Sequence, residues 1–228
     1  MCGRYGLWSR QQRIEELLGL PPSGEERLSP LYNVAPGAYR WIARLDEERL
    51  NLVPHFWGLT PYWVKDPKKN LRPINARSDT VAGKPMFRRL LRDRRCLVPA
   101  DCYYEWKETP SGRIPYCFRM ASGEPFCFAG LWDIWHEGQA DAIASFALLT
   151  TEPNERAATV HDRMPVIVQT KDYRRWLDPG VTASEKLADI LGPYPGEMVT
   201  YAVNRQVNSP KNEGPALIDP EVPAPGEQ

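Results

Sequence analysis

Residues 96–135 read CLVPADCYYEWKETPSGRIPYCFRMASGEPFCFAGLWDIW, and this stretch decides the fold. Four runs rich in β-branched, aromatic and cysteine residues (CLVP, CYYEWKE, IPYCFRM, PFCFAGLWDIW) follow one another with no room for a helix between them. TPSGR and ASGE supply turn residues between several of the runs, and alternating apolar runs bounded by such residues read as antiparallel strands. ASFALLTT at 144–151 adds a further strand, as do Tyr39–Leu45 and Leu50–Trp57, the last two joined by the charged turn DEER. MPVIVQ and EMVTYAV complete the strand set.

Helices are fewer. Ile14, Leu17 and Leu18 predict one over Ser9 to Gly19, with Ser9 as N-cap and Gly19 and Pro21–Pro22 as its stop. Further helices are expected from Asp79 to Arg95, in EPNERAATVH, and in KDYRRWL and ASEKLADIL. No repeat or linker-like change of composition interrupts residues 1–215, and 216–228 form a Pro-rich acidic tail expected to be loose. The predicted fold class is α+β: a single domain with a curled, pseudo-barrel, mainly antiparallel sheet and flanking helices.

Composition narrows the function. The 228 residues are 42% hydrophobic and 25% charged, as in an ordinary globular protein. The 29 basic and 29 acidic residues cancel, so nucleic-acid binding must come from a local patch rather than bulk charge. No run approaches the roughly 20 apolar residues that span a membrane, and no apolar leader follows the start, so a cytoplasmic protein is expected. The five cysteines are odd in number and form no CxxC pair, which indicates neither a disulfide framework nor a zinc site. No metal or cofactor is expected.

Cys96, Cys102, Cys117 and Cys127 lie in apolar runs and are expected to be small buried hydrophobes. Cys2 has no such setting. If Met1 is removed, Cys2 presents an α-amine and a thiol two carbons apart. The amine, with a reference pKa of about 7.7–8.0, is partly neutral at pH 7. It can attack an aldehyde to form a Schiff base, and the thiol can then close a five-membered thiazolidine. An internal cysteine cannot do this, because its nitrogen is an amide.

Three further polar residues stand in apolar surroundings. Asn75 in PINAR is either a turn former or a site residue. Glu105 shares a strand face with Tyr103 and Lys107, and that face is either solvent or a cleft. His161 either complements a helix C-terminus or moves protons. Proton transfer by such groups is worth roughly 10²–10⁴-fold. Around them, Tyr62 and Trp63 sit beside Lys65, Lys68, Lys69 and Arg72, either anchoring a loop or offering bases a stacking surface. MFRRLLRDRR places Arg88, Arg92 and Arg95 near one helix face, read as solvated.

MCGRY at the start, YNVAP (32–36), FWGLTPYW (56–63), NARSDT (75–80), RRCLVPADCYYEW (94–106) and HDRMPV (161–166) occur in an order that resembles the SRAP family of abasic-site processing proteins. The resemblance extends from residue 1 to about 215. It implies a pseudo-barrel domain that recognises abasic sites in single-stranded DNA and links Cys2 to the ring-opened sugar; a monomer is expected by default, not from the resemblance. By the same resemblance Asn75 orients, Glu105 is the acid/base and His161 assists proton transfer. Arg4, Arg77 and Arg163 would hold phosphates, with Asn33 and Thr150 as polar contacts. Pro36, Trp63 and Trp106 would form the wedge and stacking surface. The loop from Trp63 to Asn75 is longer than in compact members, with Val64 where a second Trp can occur, and Asp79 replaces a Glu. Two other functions fit Cys2 with Glu105 and His161: a thiol peptidase, and a non-covalent single-stranded DNA binder.

Overall fold

The computed structural model describes residues 2–221. Thirteen strands are present among them: β1 Tyr5–Leu7, β2 Leu31–Val34, β3 Tyr39–Asp46, β4 Arg49–Trp57, β5 Asn75–Arg77, β6 Arg95–Ala100, β7 Cys102–Thr109, β8 Gly112–Met120, β9 Phe126–Trp135, β10 Ile143–Thr151, β11 Met164–Pro165, β12 Ile167–Val168 and β13 Met198–Ala202. The helices are α1 Gln11–Leu18, α2 Pro85–Asp93, α3 Glu155–Ala158 and α4 Tyr173–Leu177. None is long and apolar enough to cross a membrane.

The strands form two sheets. In the larger, the order β10–β4–β3–β6–β9 closes on itself because β9 also pairs with β10. Closure removes the edge strands that would otherwise offer unpaired backbone groups. Most pairings are antiparallel, but β4 and β5 both run parallel to β10. The smaller sheet, β13–β8–β7–β1–β2, is antiparallel throughout. The expected α+β pseudo-barrel is therefore present, and the 96–135 stretch builds its seam. β6 passes into β7 through the single residue Asp101, changing sheets, and β9 returns the chain to the barrel.

Asp101 also fixes the chain after β1. Its carboxylate accepts from the Trp8 and Ser9 backbone N–H groups at 2.6 and 2.8 Å and from the Ser9 hydroxyl at 2.5 Å. Ser9 is thus occupied and does not cap α1, whose N-cap position is Arg10 with no side-chain bond. Gly19 ends α1 as expected, in the left-handed conformation at φ 66°. Gly6 has a different reason: a Cβ there would lie 2.6 Å from the Trp8 ring and 2.9 Å from Cys102 Sγ.

Several helices are shorter than their sequence patterns suggest. The 79–95 segment is helical only from Pro85, which occupies the first turn. There its missing N–H is no loss. ASEKLADIL forms only a short 3-10 turn at Ser184–Leu187. Arg95 corrects the solvated-face reading: it opens β6, is buried, and donates to the carbonyls of Leu91, Arg92, Trp176 and Asp178. One guanidinium therefore satisfies carbonyls at the ends of both α2 and α4. The tail begins later than expected: Leu217 is buried and Pro220 bridges to Val203. The remainder of that tail lies outside the described residues.

The barrel buries an imidazole as well. His55 on β4 is 2% exposed and packs edge-on to Trp132. Neither of its ring nitrogens makes a hydrogen bond of good geometry among the described residues. Burial, with the nearby Arg44 charge, pushes its pKa down to about 3. The unfolded chain would bind this proton near pH 6.5, so the contribution of His55 to stability is complete above that pH. It is lost as pH falls from about 6.5 toward about 3, at up to roughly 1.4 kcal/mol per unit. Urea unfolding between pH 4 and 7 should show a flatter acid slope for His55→Leu than for the unsubstituted protein.

Candidate functional site

The N-terminus enters the site as an interior strand. β1 lies between β7 and β2, and its pairing continues one residue earlier through Tyr104 N–H to the Arg4 carbonyl at 3.0 Å. Cys2 is consequently 0% exposed, like the four internal cysteines. Its carbonyl accepts from Asn75 Nδ2 at 3.0 Å. Asn75 can reach it because β5 is laid parallel beside β10, in the register Asn75 to Leu148 and Arg77 to Thr150. Asn75 Oδ1 is buried and has no hydrogen-bond partner among the described residues.

Glu105 on β7 is 3% exposed, so its strand face is a cleft wall and not a solvent face. Burial pushes its carboxyl above the usual carboxylate range, while the nearby His161 charge pulls the other way. His161 Nε2 lies 3.9 Å from Glu105 Oε2. The Arg163 backbone N–H approaches His161 Nδ1 at 3.0 Å, and the Asp162 carboxylate lies 3.0 Å from the same nitrogen. The Cys2 thiol is pushed far up, first by burial and then by the Glu105 charge. It is therefore a neutral S–H. Glu105, Trp106, Lys107, Arg113, His161 and Asp162 line an open cleft of about 700 Å³. A cavity of about 720 Å³ beyond α3, lined by Asn154, Arg156, Thr159, Tyr194 and Glu197 among others, holds no cysteine or histidine.

The rim is cationic and ordered by its own hydrogen bonds. Arg77 makes a two-point contact with Asp79, at 3.2 and 2.7 Å. Arg163 lies 3.9 Å from the same carboxylate and donates to the Thr150 carbonyl at 2.6 Å. Asp79 thus gathers two arginines from separate segments. Thr150 itself is buried, and what it offers the rim is a backbone carbonyl. Arg4 lies 5.6 Å from the Trp106 ring centre. Its Nη1 donates to Asn33 Oδ1 and to the Val207 carbonyl, both at 2.7 Å. Pro36 is half-buried in the bend after β2.

Asn33 is 2% exposed and fully engaged: its amide nitrogen donates to the carbonyls of Val207, Ser209 and Asn212. It is a positioning residue for Arg4 and for the 207–212 segment. Asn208 from that segment accepts from Trp106 Nε1 at 2.7 Å. Neither Asn208 nor Val207 stood out in the sequence, because both act across more than a hundred residues. Trp63 lies apart from this cluster on the 58–74 loop. It is 53% exposed and Tyr62 56%, with Arg89 over the Tyr62 ring at 4.6 Å. The loop is anchored at Val64, which is buried and whose carbonyl takes the Trp135 indole N–H at 2.6 Å.

A closed barrel, with a second sheet that draws the N-terminal strand toward a buried carboxyl, a half-buried imidazole and a cationic rim, defines a class of single-domain α+β proteins. Residues 1–210 match the family model of the SOS response associated peptidases, and the chain belongs to this SRAP family. It is 39% identical over 224 residues to the abasic site processing protein YoqW of Bacillus subtilis, covering 96% of this chain and 99% of that one. It is 32% identical over 230 residues to the abasic site processing protein YedK of Escherichia coli, covering 96% and 100%. A crystal structure of a Bacteroides thetaiotaomicron protein shares the fold with a TM-score of 0.82, at 24% identity over 97% of this chain and 100% of that one.

Truncating Asn33 removes four hydrogen bonds from a buried amide. Asn33→Ala should lower unfolding free energy by about 1–3 kcal/mol, and hydrogen exchange should be faster in residues 204–213 than in the barrel strands. Unchanged protection of 204–213 would remove Asn33 from its clamping role.

Proposed function

We propose that this protein processes abasic sites in DNA, and that it does so by capturing the ring-opened sugar of a lesion in single-stranded DNA with Cys2. The observation that carries the reading is the convergence on Cys2 of an orienting amide and a carboxyl held above its usual range. The names of the similar proteins support the lesion class.

The chemistry follows from the protonation states. Loss of Met1 would free the Cys2 nitrogen as an amine, which attacks the sugar aldehyde. Glu105, whose burial favours its protonated form, donates to the departing hydroxyl, and water leaves with formation of the imine. The thiol then adds to the imine carbon, closing the thiazolidine. The amine acts first because the thiol is neutral: a thiolate nucleophile, which a peptidase reading needs, is disfavoured where burial and the Glu105 charge both hold the proton on sulfur. Asn75 fixes the Cys2 carbonyl, leaving its own buried carbonyl oxygen for a donor at the reacting centre. His161 relays protons between Glu105 and the open cleft. Arg4, Arg77 and Arg163 hold phosphates, which position the strand without reading its sequence. Trp106 stacks at the lesion, Pro36 wedges beside it, and Trp63 stacks a base farther along. Asn33 and Thr150 support the rim from within.

Incubation with abasic single-stranded DNA should give an adduct that survives denaturation. None should form with intact DNA, with Cys2→Ala, or when a residue remains ahead of Cys2. Mass spectrometry would read Met1 loss and the linkage site together. An adduct of undiminished yield in Cys2→Ala would exclude the proposed linkage. Glu105→Gln should slow adduct formation by roughly 10²-fold or more while DNA affinity changes little. A crosslinking rate equal to wild type would free Glu105 of its role.

A further inference from the structure

The arginines of the MFRRLLRDRR run divide by what each guanidinium touches. Arg94 pairs with Glu137, and Arg95 is held by buried carbonyls. Arg89 donates to the Asp133 carboxylate at 2.8 Å, and the same buried carboxylate accepts from the Tyr62 backbone N–H at 3.0 Å. The Arg89 guanidinium also lies 4.6 Å from the centre of the exposed Tyr62 ring. One carboxylate thus fixes α2 and the 58–74 loop side by side.

Arg88 and Arg92 have no such engagement. Phe87, Leu90 and Leu91 take the buried side of α2, which leaves Lys84, Arg88 and Arg92, at four-residue spacing, on exposed positions. Their side chains form no hydrogen bond or ion pair among the described residues, Asp93 on the same helix included. Like charges at this spacing repel, and Lys84 stands at the helix end where the dipole disfavours a cation. Lys65 and Lys68 are exposed on the adjoining loop. In a chain whose basic and acidic residues cancel, an unpaired cationic face of this kind is suited to an anionic partner.

We propose that α2 and the 58–74 loop form a second DNA surface, which takes the single strand flanking the lesion, with Lys84, Arg88 and Arg92 against phosphates and the Tyr62 ring against a base. This rests on the DNA reading above and extends it to elements that carry none of Cys2, Glu105 and His161. An aromatic face among cations fits a single strand, whose unstacked bases present a face of their own. A duplex keeps its bases stacked, and an acidic protein offers none, so Tyr62 distinguishes these partners. The surface holds the strand beyond the site and takes no part in the covalent chemistry.

The test is the anisotropy of intact single strands of decreasing length, titrated across a salt series. Arg88→Gln combined with Arg92→Gln, Tyr62→Ala and Tyr62→Phe are compared with wild-type protein. Each phosphate contact contributes about 0.7 to the slope of log affinity against log salt concentration, so the double variant should bind long strands with a slope smaller by about 1.4. Tyr62→Ala should weaken binding roughly 5- to 150-fold, and Tyr62→Phe should stay within about twofold of wild type. Both losses should vanish in strands trimmed to the Cys2 cleft. Slopes and affinities equal to wild type, or losses undiminished in the shortest strand, overturn the second surface. A charge effect without a Tyr62 effect overturns the choice of a single strand. Failure of wild-type protein to form an adduct with abasic DNA overturns the crosslinking reading alone, because intact strands carry no aldehyde.

Discussion

The backbone pairing of β1 between β7 and β2 is the constraint on which the rest depends. Chain termini are usually loose, but here Tyr104 N–H to the Arg4 carbonyl and Asp101 N–H to the Gly6 carbonyl draw the first residues into a sheet. Asp101 then holds Trp8 and Ser9 on the far side of the strand. A reactive N-terminus on a flexible arm would sample many positions. A segment that enters as an interior strand has its approach to Glu105 set by the register of β7, which in the proposed reaction would replace diffusion by effective concentration.

That placement creates an electrostatic gradient across a short distance. At the inner end, low-dielectric packing favours neutral forms: the Cys2 thiol and Tyr103 phenol keep their protons, and the Glu105 carboxyl is pushed toward keeping its own. At the outer end, Arg77, Arg163 and Asp79 are charged and meet solvent or half-buried surface. Asp79 lowers the mutual repulsion of two arginines that face the same way. It can be exchanged for phosphate oxygens, because its pairing with Arg77 is exposed and weak by comparison with a buried pair. In the proposed reaction an anionic strand would be held at the rim while only its reacting sugar enters the dry part.

Much of the barrel was legible because its strands obey local rules. The runs over 96–135 alternate, their turns contain Gly, Ser and Pro, and DEER closes the β3–β4 hairpin with Glu47 and Glu48 at positive φ. Glu105 was ambiguous for a physical reason: residues 102–105 are all buried, so alternation could not separate a core face from a solvent face. Helix lengths were overread at Asp79–Lys84, where the chain turns before Pro85 opens α2, and in ASEKLADIL, which forms only a 3-10 turn at Ser184–Leu187. Arg95 shows the limit most clearly, since its burial is stabilised by carbonyls of Trp176 and Asp178 more than eighty residues away. Asn33 fails the same way, its partners lying beyond residue 206.

The unpaired polar atoms complete the argument. Asn75 Oδ1, whose amide donates to the Cys2 carbonyl, and the Tyr103 hydroxyl are both buried without hydrogen-bond partners among the described residues. Each such atom lowers stability, and neither is needed to fill space. Groups of this kind persist where a partner arrives only with the substrate or along the reaction path. Preorganised donors and acceptors need no rearrangement when charge develops, which is the main electrostatic advantage an active site holds over water. On the proposed function, the stability forgone at these two atoms would be the counterpart of a site assembled before its ligand enters. The paired strand at the N-terminus is what keeps that assembly from relaxing.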